Sequence, residues 1–249
     1  MRSKHRREEE ETSYWLSYSD MMAALLLIFI LIISFTLLQS QTVYEAKESE
    51  LLAQKELVEE QQEQLEEQQE QIDKLIGIRK ELIEALKQEF EGSDLSVAVD
   101  SKTGSIALDS SILFDSGQFT LKSSGEELLK KFLPKYIKVL TSKEFREYVS
   151  EIIIEGHTDT QGDYLYNLEL SQKRALSVSS FCLDTENDIL SQKQIDKLRK
   201  IVTANGKSFS NPVLDANGNE DQNASRRVEF LFRLKDEEMI NDMSEVLNE

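Results

Sequence analysis

The most hydrophobic part of the chain is a run of eighteen uncharged residues, Met21–Leu38. At about 1.5 Å per residue, a helix of this run and its flanks crosses a hydrocarbon core of about 30 Å. Basic residues at positions 2, 4, 6 and 7 precede the run, so the positive-inside rule predicts a cytoplasmic tail (1–16) before a transmembrane helix (17–40). The run is too long for a cleavable signal peptide, and no small-residue cleavage site follows it. The rest of the chain is therefore expected on the opposite side of the membrane.

One carboxylate, Asp20, lies at the start of this apolar run, which contains no basic residue to pair with it. Its position leaves two interpretations open. Asp20 either caps the helix among the lipid headgroups or faces a protein interface as a titratable ion site, because carboxylates kept within membranes often mark ion pathways. The second interpretation requires partner helices, since one helix cannot enclose a conducting path. Three hydroxyl side chains are candidates to support an ion path: Ser17, Ser19 and Thr36.

Residues 41–92 are rich in helix-forming Glu, Gln, Lys and Leu. Apolar residues recur every seven positions, at Leu51, Val58, Leu65, Ile72 and Leu86, with Arg79 interrupting the series. The companion positions are first glutamines and then leucines, so half of the seam is polar. This pattern favours a weak parallel dimeric coiled coil, and the alternative is a long single helix held by Glu/Lys pairs or packed on a partner. About 45 helical residues would reach about 70 Å, which predicts a stalk.

Residues 93–235 alternate between strand and helix patterns. Strands are predicted in SVAV and SIAL, at 149–155, in KIVTAN and at 226–234. Helices are predicted at 123–140, 165–182 and 191–198. The alternation predicts an α/β sandwich with a mixed sheet, followed by an acidic tail at 236–249.

Composition excludes several classes of function. The net charge of −18 argues against a nucleic-acid partner, because a polyphosphate would be repelled. The single cysteine, Cys182, excludes an intrachain disulfide and is expected to fill core space on a helix. His157 has no second histidine or cysteine near it, which favours a structural role and predicts no metal site. No nucleophile and base are arranged together, so we predict that the protein is not an enzyme and needs no cofactor.

The segment GHTDTQGDYLYNLELSQKRA carries the chemistry of the C-terminal part. On a helix, four of its residues share one face, at spacings of three, four and seven: Asn167, Leu170, Ser171 and Arg174. We expect Leu170 to pack inward while Asn167 and Arg174 flank an opening. Asp159, in the loop before the helix, can face Arg174 across that opening. A carboxylate and a guanidinium held apart suit a zwitterion, and a plain Asp159–Arg174 pair that fixes the loop is the alternative.

This segment resembles the core motif of OmpA-like peptidoglycan-binding domains, roughly G-H-T-D-x-x-G-x-x-x-x-N-x-x-L-S-x-x-R-A. ILFDSGQFTLKSSGEELL and NASRRVEFLF are similar to the start and the end of that domain. The resemblance implies that Asp159 and Arg174 bind the diaminopimelate zwitterion of the peptide stem. The residues implied to shape or support the pocket are Thr158, Asn167, Leu170, Tyr166, Arg226 and Arg227. Ser225 stands where many relatives have asparagine, which weakens any specific role for Asn223.

The order of membrane anchor, stalk and OmpA-like domain resembles the MotB class of stator subunits, in which Asp20 aligns with the ion-carrying aspartate. This resemblance implies a homodimer in the inner membrane, inside a ring of MotA-like subunits, with protons or Na⁺ driving rotation. YSDMMAALLLIFILI and DYLYNLELSQKRA look more like the ZorB family of Zorya anti-phage systems, whose ring partner is ZorA. Flagellar MotB and a passive tether between membrane and cell wall are the alternatives.

Overall fold

The structure, a computed structural model, describes residues 2–95 and 97–235 of the 249-residue chain. The acidic tail expected at 236–249 lies outside the described residues, as do the side chains of residues 2–14, 16 and 17. The chain divides into two units, Met1–Gln69 and Glu70–Glu249.

Helix α1 (Arg2–Phe90) supplies the described backbone of the first unit. It includes one stretch that is long and apolar enough to cross a membrane, and the side chains of that stretch are exposed. Thr36 Oγ1 donates a hydrogen bond to the carbonyl oxygen of Ile33 at 2.9 Å, so this hydroxyl is satisfied within its own helix. An exposed apolar helix surface of this kind matches the lipid solvent predicted from the sequence.

The heptad positions of α1 that lie in the first unit are also exposed. Leu51, Val58 and Leu65 each expose more than half of their surface. These three side chains have nothing to pack against on a single helix, as expected if a second helix packs on them in the assembled protein. The coiled coil remains a prediction, because one chain does not test it.

The second unit contains the elements that follow α1. The helices are α2 (Ser110–Leu113), α3 (Ser123–Leu140), α4 (Tyr164–Cys182), α5 (Gln192–Leu198) and α6 (Gln222–Ser225), with a 3₁₀ turn at Thr185–Asn187. The strands are β1 (Ile106–Asp109), β2 (Val149–Gly156), β3 (Val202–Gly206) and β4 (Arg227–Leu234). They form one sheet in the order β1-β4-β2-β3. Strand β4 is antiparallel to β1 and β2, whereas β2 and β3 are parallel, so the predicted mixed α/β sheet is confirmed.

One expected strand is missing from the described residues. The SVAV segment contributes only a single bridge, between Val99 and Ile106. The chain turns immediately afterwards, because the Asp100 carboxylate accepts from the backbone N–H groups of Lys102 and Thr103. A hairpin whose first arm is this short cannot form a longer ladder.

The core of the second unit includes the end of α1. Leu82 and Leu86 are fully buried and Phe90 is 4% exposed. The Phe90 ring stacks on Phe132 of α3 at 5.3 Å, and Phe132 meets Phe230 of β4 at 4.8 Å. This explains why the unit begins at Glu70, earlier than the boundary of 93 expected from the sequence: the last turns of the helix are a core element of the domain.

Polar contacts hold the same part of α1 in place. Glu89 pairs with Lys138 at 2.7 Å and with Lys135 at 3.7 Å, and these cations, Lys138 first, lower the pKa of the Glu89 carboxyl. The guanidinium of Arg79 lies over the Phe232 ring at 5.5 Å.

Cys182 is buried at the end of α4, where burial raises the pKa of its thiol to about 12, in agreement with the predicted core position.

Replacing Leu86 with alanine should destabilise the second unit by about 2–5 kcal/mol, because the truncation leaves a cavity in a closed core. Leu52→Ala is the matched control, since Leu52 lies on the same helix, off the heptad seam, and is 57% exposed. Pulse proteolysis of the full-length protein in urea measures both. An equal effect of the two substitutions would contradict the burial of α1 in the domain.

Candidate functional site

Helix α4 lies unusually close to the ends of two parallel strands, and glycines permit it. A Cβ atom on Gly156, the last residue of β2, would lie 2.1 Å from the carbonyl oxygen of Ser171. A Cβ atom on Gly206, the last residue of β3, would lie 2.5 Å from the backbone nitrogen of Gln172. The Gln172 side chain completes the contact by accepting from the Gly206 N–H at 2.7 Å. The backbone of α4 therefore packs directly on the sheet edge.

The loop between β2 and α4 is held at both ends. Asp163 caps α4 by accepting from the N–H groups of Leu165 and Tyr166. At the other end, the N–H of Thr158 donates to Ser208 O at 2.9 Å. Asn167 secures the middle, because its side-chain nitrogen donates to Gln161 O at 2.7 Å. The loop residues that follow β2 are thus fixed beside the first turns of α4.

A cavity of about 600 Å³ opens between this loop, α4 and the segment that includes α2. Most of the residues singled out in the sequence motif line it: Thr158, Asp159, Tyr166, Asn167, Leu170, Arg174 and Arg226. Residues from the segment before α3 complete the wall: Ser110, Ser111, Phe114, Asp115, Ser116, Gly117 and Lys122, with Gln161 from the loop. The fold therefore brings the motif residues to one concave site.

Arg174 provides the buried cation of this cavity. Its side chain is 5% exposed, its Nε donates to Gln118 O at 2.9 Å, and its guanidinium lies 5.2 Å from the centre of the Phe114 ring. Burial lowers the pKa of the guanidinium. Among the described residues, no carboxylate forms an ion pair with Arg174, so the plain Asp159–Arg174 pair does not form.

Asp159 faces a different arginine from the one expected. One of its oxygens pairs with Arg226 Nη1, and the other accepts from the N–H of Gln161 at 3.2 Å. Arg226 is itself held by the side-chain oxygen of Asn223, which gives Asn223 a contact that the sequence did not predict. The carboxylate and the Arg174 guanidinium thus line one cavity while remaining apart.

Two hydroxyl groups at the cavity wall have no hydrogen-bond partner among the described residues. Thr158 Oγ1 and Ser110 Oγ are both buried. A buried hydroxyl without a partner costs free energy, and a polar ligand would satisfy it. Ser110 follows β1 directly and was missed by sequence reasoning, because nothing in the local pattern places it opposite the loop after β2.

Two sequence expectations for the cavity need correction. Leu170 does not pack into the core but forms part of the cavity wall, where it is only partly buried. Arg227 does not reach the cavity. Successive side chains of an extended strand point to opposite sides, so Arg226 enters the cavity while Arg227 turns away from it.

Arg227 belongs to a separate cluster centred on His157. His157 is 1% exposed, and its Nε2 lies 3.5 Å from Glu155 Oε2 and 3.3 Å from Glu229 Oε2. Arg227 Nε pairs with Glu229 Oε1 at 3.1 Å, and Lys207 Nζ pairs with Glu155 Oε1 at 3.2 Å. Burial alone would lower the pKa of His157, but the two glutamates outweigh it and raise that pKa.

The pKa values of the two glutamates in this cluster shift in the opposite direction, downward. Burial by itself would raise the pKa of each carboxyl, but His157 and the neighbouring Lys207 or Arg227 outweigh it and lower both values. Glu155, His157 and Glu229 bring together ligand atoms of the types that bind metals. Lys207 and Arg227 already neutralise the two carboxylates, however, so a divalent cation would leave the cluster with an excess positive charge. The cluster is better suited to a proton on His157.

The residues singled out around Asp20 lie along α1. Asp20 and Ser19 are exposed neighbours on the helix, whereas the side chain of Ser17 lies outside the described residues. Thr36 follows Asp20 by sixteen residues, which corresponds to about 24 Å along a helix axis. Thr36 and Asp20 therefore cannot bind one ion at the same time.

The fold and the site define a class of protein. Residues 1–49 match the family described as membrane MotB of the proton-channel complex MotA/MotB, and residues 113–226 match the OmpA family. A MotB-like membrane segment thus precedes an OmpA-like domain. These are not families of enzymes, in agreement with the sequence prediction.

Full-length relatives narrow this class to one family. The chain is 30% identical over 240 residues to Zorya protein ZorB of Escherichia coli O139:H28 (strain E24377A / ETEC), covering 94% of this chain and 86% of that protein. It is also 30% identical over 235 residues to Zorya protein ZorB of Escherichia coli strain ATCC 8739, covering 90% and 89%. The chain belongs to the ZorB family.

A solved structure is similar as well. A MotB-like protein from Desulfovibrio vulgaris aligns with a TM-score of 0.43 and 20% identity, covering 68% of this chain and 99% of that one.

Gly156→Ala should destabilise the second unit by roughly 1–3 kcal/mol, because the new methyl group meets the α4 backbone and not a flexible side chain. Gly77→Ala is the control: a Cβ there meets nothing within 4 Å, and alanine in a helix should stabilise by about 0.5–1 kcal/mol. Thermal unfolding of the two variants tests this contrast. A Gly156→Ala protein as stable as the wild type would show that α4 does not need this close approach.

Proposed function

We propose that this protein is a stator-like subunit of an ion-driven motor in the inner membrane. Its C-terminal domain binds the diaminopimelate stem peptide of peptidoglycan, and its transmembrane helix carries ions with Asp20 inside a ring of ZorA-like subunits. The observation that carries the first half is the cavity that holds Asp159 and Arg174 apart beside two unsatisfied hydroxyls.

The cavity suits a zwitterion better than a simple anion. Arg174 offers guanidinium N–H groups to a ligand carboxylate, and the aromatic ring of Phe114 supports the guanidinium from one side. Asp159 offers a carboxylate to a ligand ammonium group while Arg226 holds it in place. Thr158 and Ser110 supply the neutral hydrogen bonds that a polar peptide stem needs. Diaminopimelate carries an ammonium and a carboxylate at the same end, so it offers one charge of each sign to this cavity.

The membrane helix supplies the second half of the proposal. Asp20 lies at the start of an apolar stretch that is long enough to span the bilayer, with the basic N-terminal tail on the cytoplasmic side. Inside a ring of partner helices, this carboxylate alternates between protonated and ionised states. Each elementary charge that crosses a potential of 100 mV releases about 2.3 kcal/mol, enough to bias one conformational step.

Anchorage and ion flow depend on each other in this mechanism. Ion flow turns the ring only relative to a part that does not move, and binding to the cell wall provides that part. Two copies pairing along the exposed heptad positions of α1 would give the homodimer expected of a MotB-like subunit. Family membership favours anti-phage defence over motility as the process that the motor serves.

Arg174→Ala should leave the protein folded in membranes and should weaken its binding to purified sacculi about 30-fold or more, since a buried charge pair with the ligand is lost. Arg199→Ala is the control, because Arg199 is an exposed arginine on another face of the domain. Co-sedimentation with sacculi measures both. Unchanged binding of the Arg174 variant would exclude the cavity as the peptidoglycan site.

Asp20→Asn should assemble with its ring partner but abolish ion flux and phage protection, because asparagine keeps the size of the side chain and cannot be ionised. Met21→Leu is a neighbouring control that leaves the carboxylate and the candidate hydroxyl groups in place. Proton flux into cells expressing the subunit with its partner gives the measurement. A fully active Asp20→Asn protein would exclude the motor and leave a passive tether to the cell wall.

A further inference from the structure

The His157 cluster lies behind the proposed peptidoglycan pocket and shares its backbone. His157 directly precedes the pocket residues Thr158 and Asp159, and Arg227 directly follows the pocket residue Arg226. The backbone N–H of His157 donates to Arg227 O at 2.9 Å, which joins the two segments at this point. A shift in the cluster would therefore move both partners of the Asp159–Arg226 pair.

A third segment connects the cluster to the pocket loop. The N–H of Lys207 donates to Gly156 O at 2.9 Å, and the next residue, Ser208, accepts from the Thr158 N–H at 2.9 Å. Lys207 also pairs with Glu155 through its ammonium group. The cluster thus ties together the end of β2, the end of β3 and the start of β4.

The charges of the cluster alternate only when His157 is protonated. His157 Nε2 lies 3.5 Å from Glu155 Oε2 and 3.3 Å from Glu229 Oε2, and one oxygen of each carboxylate lies within 4.8 Å of the other. An imidazolium between them adds a positive charge that attracts both carboxylates, and a neutral ring lacks that attraction. Lys207 and Arg227 pair with the other oxygen of each carboxylate, Glu155 Oε1 and Glu229 Oε1.

We propose that His157 is a positioning residue of the pocket, whose imidazolium draws Glu155 and Glu229 together and thereby holds Asp159 and Arg226 in the binding geometry. This inference rests on the proposed peptidoglycan function and adds its regulation by pH. The two glutamates raise the pKa of His157. The positive charge on His157 is therefore present at low pH and is lost as the pH rises through that raised value.

Thermodynamic linkage provides a test that a merely structural histidine would not pass. If protonation of His157 favours ligand binding, the ligand must raise the pKa of His157 by the same free energy. A tenfold difference in affinity between the protonated and neutral forms corresponds to a rise of one pKa unit. The chain contains only two histidines, so the ring signals of His157 can be assigned by comparison with a His5→Gln variant.

The experiment uses the full-length protein in detergent with ¹³C-labelled histidine. The probe is a soluble disaccharide tetrapeptide that contains diaminopimelate, and its affinity is measured between pH 5 and pH 9. We expect the wild type to bind at least threefold more weakly above the pKa of His157, and the peptide to raise that pKa by at least half a unit. His157→Gln should bind with the weaker affinity of the wild type at high pH, and its affinity should lack this transition.

The ligand titrates too, but identically in both proteins, so the difference between wild type and His157→Gln isolates the histidine. The same dependence of affinity on pH in the wild type and in His157→Gln, with an unmoved pKa of His157, would overturn this inference and leave the peptidoglycan function standing. Absence of binding at any pH would overturn the proposed function and the inference with it. If His157→Gln does not fold, the shift of the wild-type pKa on ligand addition decides alone.

Discussion

The direct contact between the α4 backbone and the ends of β2 and β3 is the constraint on which the candidate site depends. Gly156 and Gly206 lie where any side chain would collide with Ser171 and Gln172. Because the helix backbone is fixed there, the residue one turn farther along, Arg174, is fixed as well. The positions of the side chains that line the cavity therefore depend on two glycines, which have no side chain to hold α4 away from the strands.

The candidate site in the second unit depends on positively charged side chains, although the chain as a whole is strongly acidic. The chain carries a net charge of −18, yet its candidate site depends on buried or half-buried cations, Arg174 and Arg226, backed by Arg227 in the cluster behind. Burying a cation is costly unless it is paired or bound to oxygen atoms. Arg226 is paired with Asp159, whereas Arg174 is held by a carbonyl oxygen and an aromatic ring. That difference leaves Arg174 as the group with charge to offer to a ligand.

The surroundings of helix α1 differ between its N-terminal stretch and its last turns. Its apolar N-terminal stretch exposes leucine and isoleucine side chains that only lipid or partner helices can cover, whereas its last turns bury Leu82, Leu86 and Phe90 in the protein core. The last turns of the helix belong to the second unit. They form one of the packed elements of that unit, held by aromatic stacking and by the Glu89 ion pairs.

By itself, the sequence determined an apolar stretch long enough to span a membrane, the bounds of most helices and strands of the second unit, and seven residues that line the cavity, because periodicity and contiguous motifs are local properties of the chain. It did not determine that Asp159 pairs with Arg226, that Ser110 completes the cavity wall, or that Arg227 joins His157. Those contacts join residues far apart in the chain. They depend on the order of strands in the sheet and on which side of a strand each side chain emerges, and only tertiary packing decides both.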